Sequence, residues 1–416
     1  MKTNIILILS IFFITLFVTS CEQNILQVEE NYVLSKDDTV LIKVKPYNEP
    51  FDLDTYIDSI YYLQLELTDE SIIGDIYKII VFEDHIYILD GQTSSLFIFD
   101  LNGKYISKIC KIGNGPGEYN RLDYFDIDVG NKHIVITDLT TYWNIRYDMK
   151  GNFISRKKIY FNSQGLASHS SSKYVLHSNF RKNSNSMTPE YNLIFLDSLM
   201  KIEKAYFPYN SDNFSNPTIR FPGKPGGFFY TYSNELYFIY IQKNEIYKIE
   251  PEGLFFKYKF DIADNNFNYL RLNKKSGLHE YVESGKYWTL HNVYETPDII
   301  YFSFYENTHP LTFQGFYSKS SKNMINSSRF TLSGALFPFE THANYNDWFI
   351  ATLDIDKIIE WRDIMDKIND TFEERGYKEE RDLFLIKDYL IKRKRLADNL
   401  TLDDNPILMF YKLKSF

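Results

Sequence analysis

The chain has 416 residues, of which 44% are hydrophobic and 17% aromatic, with 34 Tyr, 34 Phe and a formal net charge of −9. That composition supplies material for a large core and favours strands, because Tyr, Phe, Ile and Val suit a pleated, half-buried surface. The acidic balance argues against a phosphate-backbone partner, which would want clustered Lys and Arg, so no nucleic acid is expected.

In chain order, residues 1–20 read as a leader: a weakly basic head, then the apolar run "IILILSIFFITLFV" over 5–18, too short to span a bilayer comfortably. "VTSC", Val18 to Cys21, follows directly. These residues resemble the lipobox of bacterial lipoproteins, which implies cleavage before Cys21 and acylation of its thiol and amine. Each buried methylene contributes about 0.8 kcal/mol, so two or three fatty chains hold firmly where one would not. The expected location is the cell envelope, lipid-anchored, at the outer membrane, with the periplasmic or external face left open. Cys110 is the only other cysteine, so the lipidated form has no intramolecular disulfide. Residues 21–50 are polar and mixed and read as a tether holding one short strand, "TVLIKV" (39–44).

Beyond the tether a repeat emerges. "HIYILD" (85–90) returns as "HIVITD" (133–138), then more weakly at 173, 235, 298 and 347. A second landmark lies downstream in "FDLNGKYIS", "YDMKGNFIS", "LDSLMKIEK" and "IEPEGLFFK", with Asp100, Asp148, Asp197 and Glu250 at equivalent places. Each unit reads strand, turn, strand, turn, strand, turn, strand, with Gly where a tight turn needs positive φ. Four-stranded antiparallel sheets that are apolar on both faces need cover on both sides, and radial stacking provides it while leaving only short edges. Units of about 52 residues predict six blades over 51–416. The fold class is therefore all-β, a six-bladed β-propeller.

Near the C-terminus the period changes. Ile358, Trp361, Met365, Ile368 and Phe372 recur at three and four, which predicts a helical insertion in the last blade over about 354–404. "NPILMFYKLK" (405–414) returns to strand, and "IYYLQLEL" (60–67) is expected to complete that blade as its fourth strand.

"IGNGPGEYNRLDYFDID", "FDLNGKYISKI", the lipobox and the ending "DNPILMFYKLK" together resemble the six-bladed β-propeller lipoproteins of the Bacteroidetes, relatives of NHL-repeat propellers. The resemblance implies a fold and an envelope location. Members of that family generally lack an assigned reaction, so it supplies no catalytic residue, and no cofactor is expected.

The chemistry is sparse. In "IGNGPGEY" (112–119) the glycines alternate without the spacing of a dinucleotide fingerprint, no P-loop Lys follows, and Pro116 removes a donor, so the segment reads as a crossing between blades. The eight histidines form no metal motif, and no G-x-S-x-G is present. "DID" (126–128) and "LDIDK" (353–357) lack a calcium loop and read as solvated ends, and "KRKR" (392–395) as a solvated helix end. The long stretches 209–229 and 306–330 read as loops able to carry a binding surface, and Tyr142, Trp143, Arg220 and Phe221 are the candidate ligand-binding residues. Two readings follow: a non-enzymatic scaffold for a glycan, a peptide or a protein, or a propeller hydrolase or lyase with a polar or metal site in the central channel.

Overall fold

The computed structural model describes residues 34–47, 49–170, 173–182, 190–211, 227–263, 288–306, 312–332, 335–336, 340–356, 358–360, 362–363 and 397–416. These form six blades. Blade 1 comprises Ile76–Phe82, His85–Asp90, Ser95–Asp100 and Tyr105–Ile109. Blade 2 comprises Tyr124–Asp128, His133–Asp138, Trp143–Asp148 and Phe153–Lys158. Blades 3, 4 and 5 begin with the inner strands Gly165–His169, Phe229–Tyr232 and Trp288–Glu295. Blade 6 takes Thr341–Tyr345, Trp348–Leu353 and Ile407–Leu413 from the C-terminal part and Ile57–Gln64 from the N-terminal part. The expected closure is thus present, in a register that sets Met409 opposite Tyr62.

Every neighbouring pair of blades shares a core, which makes the ring one cooperative body. Leu63 and Phe410 of blade 6 pack with Ile79 and Phe99 of blade 1. Tyr87 and Ile98 of blade 1 meet Phe125 and Ile145 of blade 2, and Val135 of blade 2 meets Tyr174 and Leu176 of blade 3. One larger cluster joins blades 3, 4 and 5 through Val175, Phe238 and Phe302, and Tyr301 and Phe349 join blades 5 and 6. Each such side chain contributes about 1.5–3 kcal/mol through burial.

The two sequence landmarks have separate causes. Asp90 and Asp138, both fully buried, end the second strands of blades 1 and 2. Asp90 accepts the amides of Gly74, Asp75 and Gln92 and the Thr93 hydroxyl, and Asp138 accepts those of Asn120, Thr140 and Thr141 and the Thr141 hydroxyl. Each carboxylate therefore ties the chain entering a blade to the turn within it. Asp100, Asp148 and Asp197 instead fold the turn between third and fourth strands, each accepting the amides two and four residues on. The Lys104 amide holds the Asp100 carboxyl below its ordinary pKa, and the Asn152 side-chain amide, donating at 2.9 Å, does the same for Asp148 together with the Asn152 and Lys150 backbone amides. The left-handed position that follows is Gly103, Gly151 and, in blade 3, Met200.

Four expectations change. The strand foreseen at 39–44 runs over Leu34–Val44 and pairs in parallel with Gly253–Ile262, the outer strand of blade 4, burying Ile42 and Val44. The stretch 306–330 is not one long loop, because Thr312–Ser318 and Met324–Ser327 are the outer strands of blade 5 and Phe313 and Phe316 are core; alternating polar residues disguised them. Blade 2 is uniformly apolar only toward blade 1, since its face toward blade 3 carries Asp126, Thr137, Asn144 and Arg146 beside Val135, all buried or half-buried. Asp126 and Asp128 accordingly are not solvated strand ends.

The helical insertion expected over 354–404 falls mostly outside the described residues. Within them, 358–360 are helical, Ile358 and Ala397 are buried, and Arg362 donates to the Ala397 carbonyl at 3.2 Å. The leader and Cys21 also lie outside the described residues, among which no helix is long and apolar enough to cross a membrane.

Candidate functional site

Alternation within each blade gives the ring two distinct ends. Turns joining first to second and third to fourth strands share one, here the hairpin end. Turns joining second to third strands, with the crossings between blades, share the other. "IGNGPGEY" is such a crossing, tied by the Glu118 carboxylate to the Gly115 amide at 2.7 Å and by Tyr147, which donates to the Gly117 carbonyl at 2.8 Å. Its glycines serve space more than φ. A Cβ on Gly113 would lie 2.1 Å from the Glu118 carboxylate, and one on Gly117 would lie 2.8 Å from Phe153 Cβ.

The inner strands surround a channel holding a cavity of about 930 Å³. Tyr77, Lys78 and Phe82 of blade 1 line it, with Asp126 and Lys132 of blade 2, Tyr232 and Asn234 of blade 4, Asn292 and Tyr294 of blade 5, and His342, Asn344 and Tyr345 of blade 6. Phe82, Tyr232 and Tyr345 are each the last residue of an inner strand, and Tyr294 the last but one. The repeat thereby sets a broken ring of aromatic side chains at the hairpin end, interleaved with amides.

Two charges lie inside. Lys78 Nζ stands 3.9 Å from Asp126 Oδ1 and donates to the Phe125 carbonyl at 3.1 Å. Asp126 also accepts the Ser168 amide at 2.5 Å, so one carboxylate joins the inner strands of blades 1, 2 and 3. Burial lowers the Lys78 pKa against the pull of Asp126, and burial raises that of Asp126 against Lys78 and the Ser168 amide. Closer to the mouth, Glu83 pairs with Lys132 at 2.7 Å across blades 1 and 2.

Between blades 4 and 5 the walls are braced by Glu295, which is 1% exposed. It accepts the hydroxyls of Tyr230 at 2.6 Å and Tyr258 at 3.1 Å and pairs with Lys319 at 2.7 Å. The Lys319 ammonium lies 4.2 Å from the centre of the Tyr232 ring, fixing one aromatic of the mouth by a cation–π contact. Desolvation and this carboxylate push the Tyr230 pKa well up, so the phenol stays protonated as a donor. Among the described residues no three His, Cys, Asp or Glu side chains are placed to hold a metal.

The residues singled out from sequence lie elsewhere. Tyr142 and Trp143 sit at the second turn of blade 2, on the crossing end. Tyr142 is exposed, holds φ 59°, and donates to Asn162 at 2.9 Å. The Trp143 ring carries Arg156 at 4.3 Å and Lys158 at 4.6 Å. Arg220 and Phe221 lie outside the described residues. Aligning the inner strands of the repeat, rather than their second strands, would have exposed the signal: "VFEDH", "TYSNE" and "NYNDW" each put an aromatic just before the first hairpin.

A family model described as a domain of unknown function, DUF4934, matches residues 39–412. Among solved structures, the chain is similar to a protein of Bacteroides fragilis NCTC 9343 named, by inference, as exported. The two share 18% identity with a TM-score of 0.70, over 90% of this chain and 100% of that one. It is also similar to a member of the DUF4221 family from Bacteroides vulgatus, at 10% identity and TM-score 0.48, over 86% of this chain and 97% of that one. No curated protein matches the chain.

Proposed function

This chain belongs to the DUF4934 family, and from that premise we propose that it is a lipid-anchored envelope scaffold that binds a neutral glycan at the hairpin end of its channel. The observation carrying this reading is the mouth itself, where Phe82, Tyr232, Tyr294 and Tyr345 alternate with Asn234, Asn292 and Asn344 around a cavity of about 930 Å³. Aromatic faces accept the C–H faces of a sugar, amides donate to and accept from its hydroxyls, and opposite charges already paired leave little net field for an ionic ligand.

The location rests on the lipobox-like "VTSC", with Cys21 as the acylated residue, and on the name given to the B. fragilis relative. Outer-membrane residence, NHL-like repeat ancestry and amphipathic helices within 354–404 belong to the same proposal, supported by Glu22, the repeat pattern and the period of three and four. Tyr142 and Trp143, with Arg220 and Phe221, stand as a second candidate patch; the indole already carries two cations, which leaves the Tyr142 ring for a ligand.

Screening the purified protein against neutral and acidic oligosaccharides and against peptides tests the reading. We expect binding to neutral oligosaccharides, weakened at least tenfold by Tyr345→Ala with Asn234→Ala; selective binding to peptides would overturn it. The alternative, a hydrolase or lyase, has Lys78 and Asp126 in its favour. Cleavage of a bound oligosaccharide that Lys78→Met abolishes would establish that reading instead.

A further inference from the structure

The N-terminal strand fixes which end of the ring faces the lipid surface. Leu34–Val44 runs parallel to Gly253–Ile262, with Leu34 opposite Phe255 and Val44 opposite Ile262. Gly253 directly follows the turn between third and fourth strands of blade 4, and that turn lies at the hairpin end. Leu34 therefore enters the ring at the hairpin end, at the rim of blade 4, and the chain then runs toward the crossing end. Ile42 and Val44, each 1% exposed, hold the strand in place.

We infer that the hairpin end, with the mouth of the cavity, is turned toward the membrane bearing the anchor, so that the site meets ligands presented at a lipid headgroup surface. This rests on the acylation of Cys21 proposed above. Twelve residues, 22–33, separate Cys21 from Leu34, and the thirteen steps between the two span at most about 45 Å. To turn the crossing end toward the lipid, the chain would first have to retrace blade 4 along Gly253–Ile262. Those ten residues at roughly 3.3 Å each consume most of that reach. Presenting the hairpin end needs no such return.

The test places one reporter at each end of the full-length lipidated protein in a Cys110→Ser background, Cys110 being exposed. Asp84→Cys marks the first hairpin of blade 1 and Thr140→Cys the second turn of blade 2, both exposed. Each carries a fluorophore and is bound to phosphatidylethanolamine–phosphatidylglycerol vesicles with headgroup nitroxide lipid. We expect quenching at 84 at least threefold that at 140; equal quenching, or more at 140, overturns the orientation. A mature chain with a hexahistidine tag in place of residues 1–21, held on nickel-chelating vesicles, should give the same order without the acyl chains, and the reverse order there refutes the geometry. Failure of the anchor is read separately: native protein that neither floats with vesicles nor carries lipid mass on Cys21 removes the premise and with it the orientation in the cell, whatever the tagged chain does.

Discussion

Asn405 donates through Nδ2 to the Ser71 carbonyl at 2.8 Å, joining the start of the last strand to the crossing that leads into blade 1. The same amide donates to the Glu66 carbonyl at 3.0 Å and accepts the Ile73 amide at 2.9 Å, and the residue is 2% exposed. One side chain thus satisfies three backbone groups at the seam where the ring shuts.

Asn405→Ala should therefore lower stability by about 2–3 kcal/mol, because it leaves buried backbone groups without partners. Asn405→Asp keeps the acceptor for Ile73 but loses both donations, and should also destabilise. Removal of 405–416 takes away the strand opposite Ile57–Gln64 and should abolish the cooperative transition in urea. A truncated chain that melts like the intact one would refute closure by these strands.

Gly103 offers a contrast with its counterpart one blade on. At φ 80°, a Cβ there would lie 2.3 Å from the Gln64 carbonyl oxygen, which belongs to the closing strand. At Gly151, φ 83°, the nearest atom is a flexible side-chain carbon, Ile109 Cγ1, at 3.1 Å. Both alanine variants bear the left-handed backbone cost of roughly 1 kcal/mol. Gly103→Ala should lose at least about 1 kcal/mol more than Gly151→Ala, and equal losses in denaturant titrations would contradict the close approach at the seam.

Much of this was legible in the sequence. "HIYILD" and "HIVITD" repeat because strand period and a buried Asp cap are both imposed locally, and the Asp100, Asp148 and Asp197 turns each need only five residues. The binding mouth was not, because Phe82, Tyr232 and Tyr345 become neighbours only when separate blades are brought round one axis. The parallel strand at Leu34–Val44 was half legible, since alternation revealed a strand while its partner, Gly253–Ile262, is set by tertiary packing alone. Nor does periodicity reveal that the face of blade 2 bearing Asn144 and Arg146 is polar and yet buried.

His177 gives the fold a pH dependence of definite sign. The ring is fully buried against Phe228 and Phe238, with Nδ1 donating to the Asn192 carbonyl at 2.9 Å. Burial pushes its pKa down to about 3, the hydrogen bond opposing. The unfolded chain, with an ordinary pKa of about 6.5, then binds the proton that the folded chain refuses. This contribution is complete above about pH 6.5 and is lost as pH falls toward the folded pKa, amounting to about 2 kcal/mol by pH 5. His177→Asn retains a donor, and its stability should fall less between pH 7 and 5 than that of the parent; parallel curves would contradict the assignment.

Lys78 and Asp126 should behave as a pair whose desolvation nearly offsets its attraction. Both side chains are less than one-fifth exposed. Lys78→Met alone leaves the carboxylate beside an apolar group and should cost about 1–3 kcal/mol. The double variant with Asp126→Asn keeps an acceptor for the Ser168 amide and should recover most of that loss. A double variant as unstable as the sum of the two singles would show that the charges act independently.

Hydrogen exchange of the protein with and without a bound neutral oligosaccharide compares the two ends of the ring in one experiment and so locates the glycan site. Binding at the mouth should add protection in the hairpins around Phe82–His85, Tyr232–Glu235 and Tyr345–Trp348. Protection at Leu139–Trp143 and along the crossing at Ile112–Tyr119, with the hairpins unchanged, would contradict it.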